Sequence, residues 1–493
     1  MTDNNYSIRK ISLALGLGVG LIYLAFLKPS IWGIDGNEMF WMSHSLVTEG
    51  DLSLPGSTGL LGRNGEYYSS RYPLISILAM PLVLFGLVSG YLLNLPTRYS
   101  ATICALVLPL ALTAITTALV FAIAMRLGSQ KKGAYLAAIS YAFGTTALVY
   151  SRQFFAEPVL AFVTALSIYW ALGTQHREHI GAGVLASMAI LAKPSGIIVG
   201  PVLAFYFFCK RYSWQTIIAP LLGTGTGVLL FLGYNYLRFE DFFRSGQSTN
   251  RIQWTGVPER FFGMLFSPGA SGGLFWYCPP TLLAIWGFHR LWKKRPPEAA
   301  LVIGIFLGYL VLHSLWLFRG WNWGPRFLVP ALPGLLALTA LIPAKWWKGL
   351  IGLTGLGFFW NSPSLLTYYQ RYFAEAADTD RILRAIALWG NPADAPLFNI
   401  WPATLRQLGD AFSQDVRSLL DNIGEPANIG DLVTSDLLQI VAVWWWMLPA
   451  AGIPIWLGGI VATMMVAAGI WLLYWGWQQL SQPEPIVDKS HQL

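Results

Sequence analysis

The sequence predicts an all-α polytopic integral membrane protein, and three observations carry that expectation. Hydrophobic residues make up 55% of the 493-residue chain and charged residues only 11%, about half the charged share of a soluble globule. Apolar runs long enough, or nearly long enough, to cross a bilayer recur along the chain. Basic residues fall in short clusters between those runs, so the formal charge of +8 reads as membrane topology and excludes a nucleic-acid face.

The elements follow in order. Residues 11–27 come after Arg9 and Lys10 and end at Lys28-Pro29 with no small-residue cleavage site, which predicts a retained first helix with its N-terminus in the cytoplasm. Further apolar runs cover 73–95, 100–125, 134–151, 156–173, 181–208, 214–235, 273–291, 299–318, 326–343, 349–366 and 437–477. The last is long enough for two crossings, giving about 11–13 transmembrane helices. Basic clusters at Arg126/Lys131/Lys132, His176/Arg177, Lys210/Arg211, Arg290/Lys293/Lys294/Arg295 and Lys345/Lys348 belong in the cytoplasm by the positive-inside rule.

Parity then constrains the path. With the loop 28–72 outside, the chain crosses an odd number of times before Arg126. The run 73–95 opens at Tyr72-Pro73 and contains Pro81, Gly86 and Gly90, so it is expected to be a re-entrant or interfacial segment. Residues 181–208 are expected to be two short helices broken at Lys193-Pro194-Ser195-Gly196. The organisation expected is a catalytic core over 1–366 that includes the outer loop 28–72, an acidic extracytoplasmic segment of short helices over 367–436, a transmembrane hairpin over 437–478 and a polar tail over 479–493. Cys104, Cys209 and Cys278 have no motif spacing and are expected to be packing residues.

Candidate chemistry gathers on the outer side. Asp35-Gly36-Asn37-Glu38 reads either as the acidic first turn of a helix or as a general base or metal ligand facing the headgroups. Tyr67-Tyr68-Ser69-Ser70-Arg71-Tyr72-Pro73 closes the same loop with a basic, tyrosine-rich patch. The turn Ser151-Arg152-Gln153-Phe154-Phe155-Ala156-Glu157-Pro158 puts ionisable residues between two apolar helices, where they are costly unless paired or used; an Arg152–Glu157 ion pair and a site role are both open. Lys193 either snorkels or binds phosphate. In Arg319-Gly320-Trp321-Asn322-Trp323-Gly324-Pro325-Arg326 the tryptophans suit the interfacial belt and the arginines offer forked donors to phosphate oxygens. Asn235, in Tyr234-Asn235-Tyr236-Leu237-Arg238-Phe239, and the stretch Ser267–Leu274 flank the fourth outer segment; no Gly-Lys-Ser/Thr follows, so the latter is not a phosphate loop.

In this order the motifs resemble the GT-C superfamily of lipid-carrier-dependent glycosyltransferases, closest to bacterial relatives of protein O-mannosyltransferases and of aminoarabinose transferases. The pieces are Asp35–Glu38, Tyr72-Pro73-Leu74, Ser151-Arg152 with Glu157, Leu191–Gly196, Asn235–Phe239, Ser267-Pro268 with Gly273-Leu274, and Gly320–Pro333, spread over about two thirds of the chain. The sequence departs from the pattern where Gly36 and Asn37 separate two acids that are often adjacent, and where one proline follows Tyr72 instead of two.

The resemblance implies an inverting glycosyltransferase that moves a hexosyl or pentosyl group from a polyprenyl phosphate to an acceptor hydroxyl outside the cytoplasm, in a bacterial-type inner membrane. Its catalytic acids would be Asp35, with Glu38 as the alternative base, and Glu157. The donor phosphate would meet Arg326, Lys193, Arg71, Arg152 and Arg319, and the substrate pocket would include Tyr68, Tyr72, Asn235, Trp321, Asn322 and Trp323. A divalent cation, magnesium or manganese, between Asp35 and Glu157 is left open, because some branches use one. Partners would be the lipid-linked donor, membrane lipids and a glycan, lipid or protein acceptor, with no nucleic acid. The rival readings are a transporter or flippase of lipid-linked sugars and a non-catalytic assembly subunit.

Overall fold

A computed structural model of the protein describes residues 2–56, 59–247, 252–317, 320–377, 380–412, 438 and 440–480. It is a polytopic bundle of α-helices. The first half runs α1 (Thr2–Ala25), α2 (Ile34–Thr48), α3 (Pro73–Leu92), α4 (Thr97–Arg126), α5 (Lys131–Gly144), the single turn α6 (Ala147–Tyr150), α7 (Ala156–Ala171), α8 (His176–Ala192), α9 (Val199–Cys209) and α10 (Trp214–Phe239). The second half runs α11 (Val257–Phe266), α12 (Leu274–Tyr277), α13 (Ala284–Lys294), α14 (Pro296–Ser314), α15 (Leu332–Thr339), α16 (Trp347–Asn361), α17 (Gln370–Ala376), α18 (Arg381–Ile386), α19 (Pro396–Ala411) and α20 (Ile455–Gln479). Two short strands, β1 (Leu60–Leu61) and β2 (Tyr67–Tyr68), pair antiparallel with Leu60 opposite Tyr68.

Among the described residues six helices are long and apolar enough to cross a membrane: Ile8–Ala25 of α1, α3, α4, α10, α14 and α20. Three shorter apolar helices, Ala156–Ala171, Pro194–Cys209 and Arg326–Thr339, accompany them. Small residues set the close packing between helices. A Cβ on Gly469 of α20 would lie 2.7 Å from the Gly18 carbonyl of α1, so these two helices meet backbone to backbone.

Within residues 73–95, expected to be a re-entrant or interfacial segment, the chain forms one continuous 20-residue helix, α3 (Pro73–Leu92), that doubles back on α4 as a hairpin, and Pro81 lies inside the helix without breaking it. Gly86 and Gly90 are contact points: a Cβ on Gly86 would sit 2.4 Å from the Ala101 Cα, and one on Gly90 2.9 Å from the Thr97 Cα. The break expected at Lys193 is present. Helix α8 ends at Ala192, Lys193 is extended, and a 3-10 turn over Pro194–Ile198 leads into α9.

The C-terminal hairpin expected over 437–478 is replaced by one long helix. Trp444–Ala451 forms a 3-10 stretch that contains Pro449, ends at Gly452 in the left-handed region and gives way through Pro454 to α20. Those residues prevent a helix from continuing through. The segment instead seals the end of α1: the Trp444 N–H donates to the Leu27 carbonyl, and the Trp444 and Trp445 indoles donate to the carbonyls of Leu24 and Ala25. Within the acidic segment, Arg371 and Glu375 of α17 pair with each other and with Asp410 and Arg406 of α19, and Arg381 and Arg384 of α18 pair with Asp394 in the turn before α19.

Candidate active site

Helix α2 begins one residue before Asp35, behind Gly33 at φ 101°. The Asn37 amide donates back to the carbonyls of Ile31 and Gly33, which fixes the entry of the chain. Gly36 lets this first turn press against the segment before Glu157, since a Cβ there would stand 3.1 Å from the Phe154 carbonyl. Asp35 and Glu157, 122 positions apart in sequence, are thereby brought to one place.

Three cations join them in a continuous chain. The Arg71 Nη2 lies 2.7 Å from Asp35 Oδ1, and the Arg326 Nη1 lies 3.0 Å from Asp35 Oδ2. The Arg326 Nε is 2.9 Å from Glu157 Oε1, and the Lys193 ammonium donates to the same oxygen at 2.7 Å. The Arg326 guanidinium also lies 3.9 Å from the centre of the Phe155 ring, and the Lys193 Nζ 4.0 Å from that of Phe327, contacts that favour a cation over an aromatic face. Side-chain exposure falls from 27% at Asp35 to 0% at Glu157, so the chain runs from a wet edge to a dry anchor. Burial pushes the Asp35 carboxyl up, but Arg71 and Arg326 together pull harder and hold its pKa below the ordinary carboxylate value.

This chain opens on a cavity of roughly 730 Å³. Arg71, Tyr72, Lys193, Ser195, Asn322 and Arg326 give it a polar side, and Phe231, Ile252, Leu312, Leu315 and Trp316 an apolar one. Trp32 and Trp321, stacked with ring centres 5.3 Å apart, line it as well. The Ser195 hydroxyl and the Gln370 Oε1, both on the lining, are buried without a hydrogen-bond partner among the described residues, as is the Glu157 Oε2.

Other candidates from the sequence stand outside the cavity. Glu38, one turn beyond Asp35, accepts from the Ser70 N–H at 2.7 Å and from the hydroxyls of Ser69 and Ser70 at 3.2 and 2.9 Å. Arg152 is fully buried and does not meet Glu157; its guanidinium donates to the carbonyls of Ser364 and Ala442. Asn235 bonds to Phe242 and Arg238, Tyr68 lies in the small sheet, and the Trp323 indole donates to Asn361. Arg319 lies outside the described residues. Those that do line the cavity are Asp35, Arg71, Tyr72, Lys193, Trp321, Asn322 and Arg326; Glu157 reaches it through Lys193 and Arg326.

Several lining residues carried no expectation, among them Trp32, Gln370 and His313. A histidine inside an apolar run is itself a signal, because a polar group at membrane depth is costly unless used, and His313 ends α14 with its ring 4.9 Å from that of Phe327. Trp32 and Gln370 had no comparable marker.

A divalent ion between Asp35 and Glu157 does not fit this donor set. The Arg326 guanidinium lies between the two carboxylates and contacts both. Among the described residues no group of three or more His, Cys, Asp or Glu side chains converges for a metal.

No family model matches the chain, and no curated protein matches it in sequence. In structure it is similar to ArnT from Cupriavidus metallidurans in the apo state, with 16% identity and a TM-score of 0.47 over 96% of this chain and 78% of that one. ArnT from the same organism bound to undecaprenyl phosphate matches with 14% identity and a TM-score of 0.45, over 93% and 77% of the two chains. The apo oligosaccharyltransferase of Archaeoglobus fulgidus matches with 11% identity and a TM-score of 0.48, over 78% of this chain and 60% of that one.

Proposed function

We propose that the protein is an inverting glycosyltransferase that moves a sugar from a polyprenyl-phosphate carrier to an acceptor hydroxyl, with its site on the extracytoplasmic side of a bacterial-type inner membrane. The observation that carries this reading is the chain Arg71–Asp35–Arg326–Glu157–Lys193 at the edge of a half-apolar cavity. Three cations against two carboxylates leave one positive charge in surplus. A sugar linked to a lipid through phosphate carries one negative charge and a long apolar tail, and both halves of the cavity suit it.

In this mechanism the donor phosphate draws Arg71, Arg326 and Lys193 toward its oxygens. Asp35 then loses part of the positive field that holds its pKa down and becomes a better base. It takes the proton of the acceptor hydroxyl while that oxygen bonds to the anomeric carbon from the opposite face. The carbon–oxygen bond to phosphate breaks, its electron pair stays on the phosphate, and the cations balance the growing charge. Glu157 is the buried counter-charge that keeps Arg326 and Lys193 in position. The side assignment rests on α7. Glu157 is at its start, while the basic residues Arg126 and Arg295 gather at its other end, where the Arg126 guanidinium donates to the Tyr169 carbonyl and Arg295 to that of Arg126.

The test uses the purified protein with a labelled polyprenyl-phosphate sugar and cell-envelope acceptors. Asp35→Asn is expected to lower transfer by about a hundredfold or more while the donor still binds. Unchanged transfer in that variant would sink the proposal. The helix break at Lys193-Pro194 is the one feature shared with a carrier-lipid transporter, and movement of labelled donor across vesicles without transfer would select that reading instead.

A further inference from the structure

A second cavity, of roughly 330 Å³, lies at the end of the bundle away from Asp35. It is lined by Arg290 and Lys294 from the end of α13 and Arg295 just after it, by Ser129 and Gln130 before α5, and by Trp347. No Asp or Glu lines it among the described residues. Ion pairs do form elsewhere at this end, Arg126 with Glu178 and Lys210 with Glu298, so acids are at hand on this side and the cavity excludes them.

We propose that this cavity holds the phosphate headgroup of an anionic membrane lipid. Three features favour it. Arg290 is fixed from behind, its Nη1 donating to the Leu341 carbonyl at 2.9 Å, and Arg295 likewise to that of Arg126 at 2.8 Å, so both are positioned before a ligand arrives. Helix α5 opens at Gln130 with no side-chain cap, and the uncapped N–H groups of its first turn add positive potential. Trp286, Arg290 and Lys294 recur at four-residue spacing and share one stripe of α13.

That stripe separates a lipid from a free anion. Trp286 is half exposed and packs on Trp346 with ring centres 5.5 Å apart. An aromatic pair one turn below the cations matches the boundary between acyl chains and headgroups, and basic pockets between membrane helices on the cytoplasmic side are suited to anionic headgroups. The distance supports the depth. Helix α7 alone separates the two ends by about 24 Å at 1.5 Å per residue, most of the ~30 Å hydrocarbon core. A lipid bound here would tie α13 to the α4–α5 turn, far from the proposed chemistry, and its binding does not depend on that chemistry.

Native mass spectrometry of the full-length protein in detergent tests this, with phosphatidylglycerol and phosphatidylcholine as probes. The double variant Arg290→Ala/Lys294→Ala is expected to lose about tenfold or more in phosphatidylglycerol affinity. Arg177→Ala/Arg211→Ala, which removes equal charge from the same side outside the cavity, is expected to keep it. All four side chains are exposed, so the folds of both variants should survive, and Arg290→Lys/Lys294→Arg is expected to restore binding. Equal losses in the two alanine doubles would reduce the effect to diffuse surface charge and overturn the proposal. So would phosphatidylcholine binding as tightly, or inorganic phosphate displacing the lipid at comparable concentration, which would mark a free-anion site.

Discussion

Two of the networks of arginine and carboxylate among the described residues differ in what surrounds them. In the acidic segment, Arg371 and Arg406 meet Glu375 and Asp410 at 2.5 to 2.6 Å, as tightly as any pair at the cavity. Yet two cations meet two acids, Arg406 is 53% and Asp410 49% exposed, and the network joins short helices. At the cavity, three cations meet two acids, and the exposure falls to 0% at Glu157. Distance therefore does not separate a brace from a site. Burial and uncompensated charge do, because only there does an incoming anion replace a poor environment with a better one.

The largest expected break in that comparison is Glu157→Ala set beside Glu375→Ala. Removing Glu157 leaves Arg326 and Lys193 buried without their shared anion and is expected to cost about 3–5 kcal/mol of stability. Removing Glu375 frees two partly solvated arginines and is expected to cost about 1 kcal/mol or less. Unfolding of the two variants in the same detergent measures both. Equal losses would mean that the cavity chain is one more brace.

Arg326→Ala comes next. Arg326 contacts both acids, and its loss is expected to weaken binding of the polyprenyl-phosphate donor by about 2–5 kcal/mol, with far less effect on the acceptor. Separate binding measurements decide it, and matched losses would argue against a phosphate role.

The comparison also explains what was legible in the sequence. Charge parity and the cost of ionisable groups near apolar helices brought Asp35, Glu157, Lys193 and Arg326 to one side, because these arguments depend on the bilayer and not on tertiary detail. Arg152 misled for the opposite reason. It lies five residues from Glu157, but its partners are carbonyls of Ser364 and Ala442, more than two hundred positions away, and no local pattern announces them. Gly86 and Gly90 read as helix breakers in 73–95 because in water they are; inside an apolar bundle the same residues let two backbones meet. Hydropathy counted residues 437–477 as two spans because it measures length and is blind to the sequence Pro449, Gly452, Pro454.

A subtler effect is expected from Arg71→Gln, read in the pH profile. Asp35 has a lowered pKa, so it is ionised through the neutral range and loses activity as a base only when the pH falls through that lowered value. Taking away Arg71 removes one of the two charges that depress it while its burial remains. The acid limb of kcat/KM, which reports the free enzyme, is therefore expected to move to higher pH, with the neutral plateau lowered by weaker donor binding. A limb that stays in place would mean that Asp35 is not the titrating group.

Smallest of all should be Glu38→Gln, and it separates the two acids of the outer loop. Glu38 and Arg238 hold the Ser69-Ser70 turn from both sides, the carboxylate accepting from the serines and the Arg238 guanidinium donating to the Ser69 carbonyl. The next residue is Arg71, so Glu38 acts on the site through the aim of that arginine. Glutamine keeps one acceptor and loses the charge, which is worth about 1–2 kcal/mol where charged and neutral hydrogen bonds differ. That corresponds to about a five- to thirtyfold rise in the donor KM with kcat nearly kept, and Glu38→Asp, which restores the charge, is expected to recover part of it. A general base behaves otherwise. Were Glu38 to take the acceptor proton, its glutamine variant would lose kcat as deeply as Asp35→Asn, and the acid limb of the rate would vanish with it.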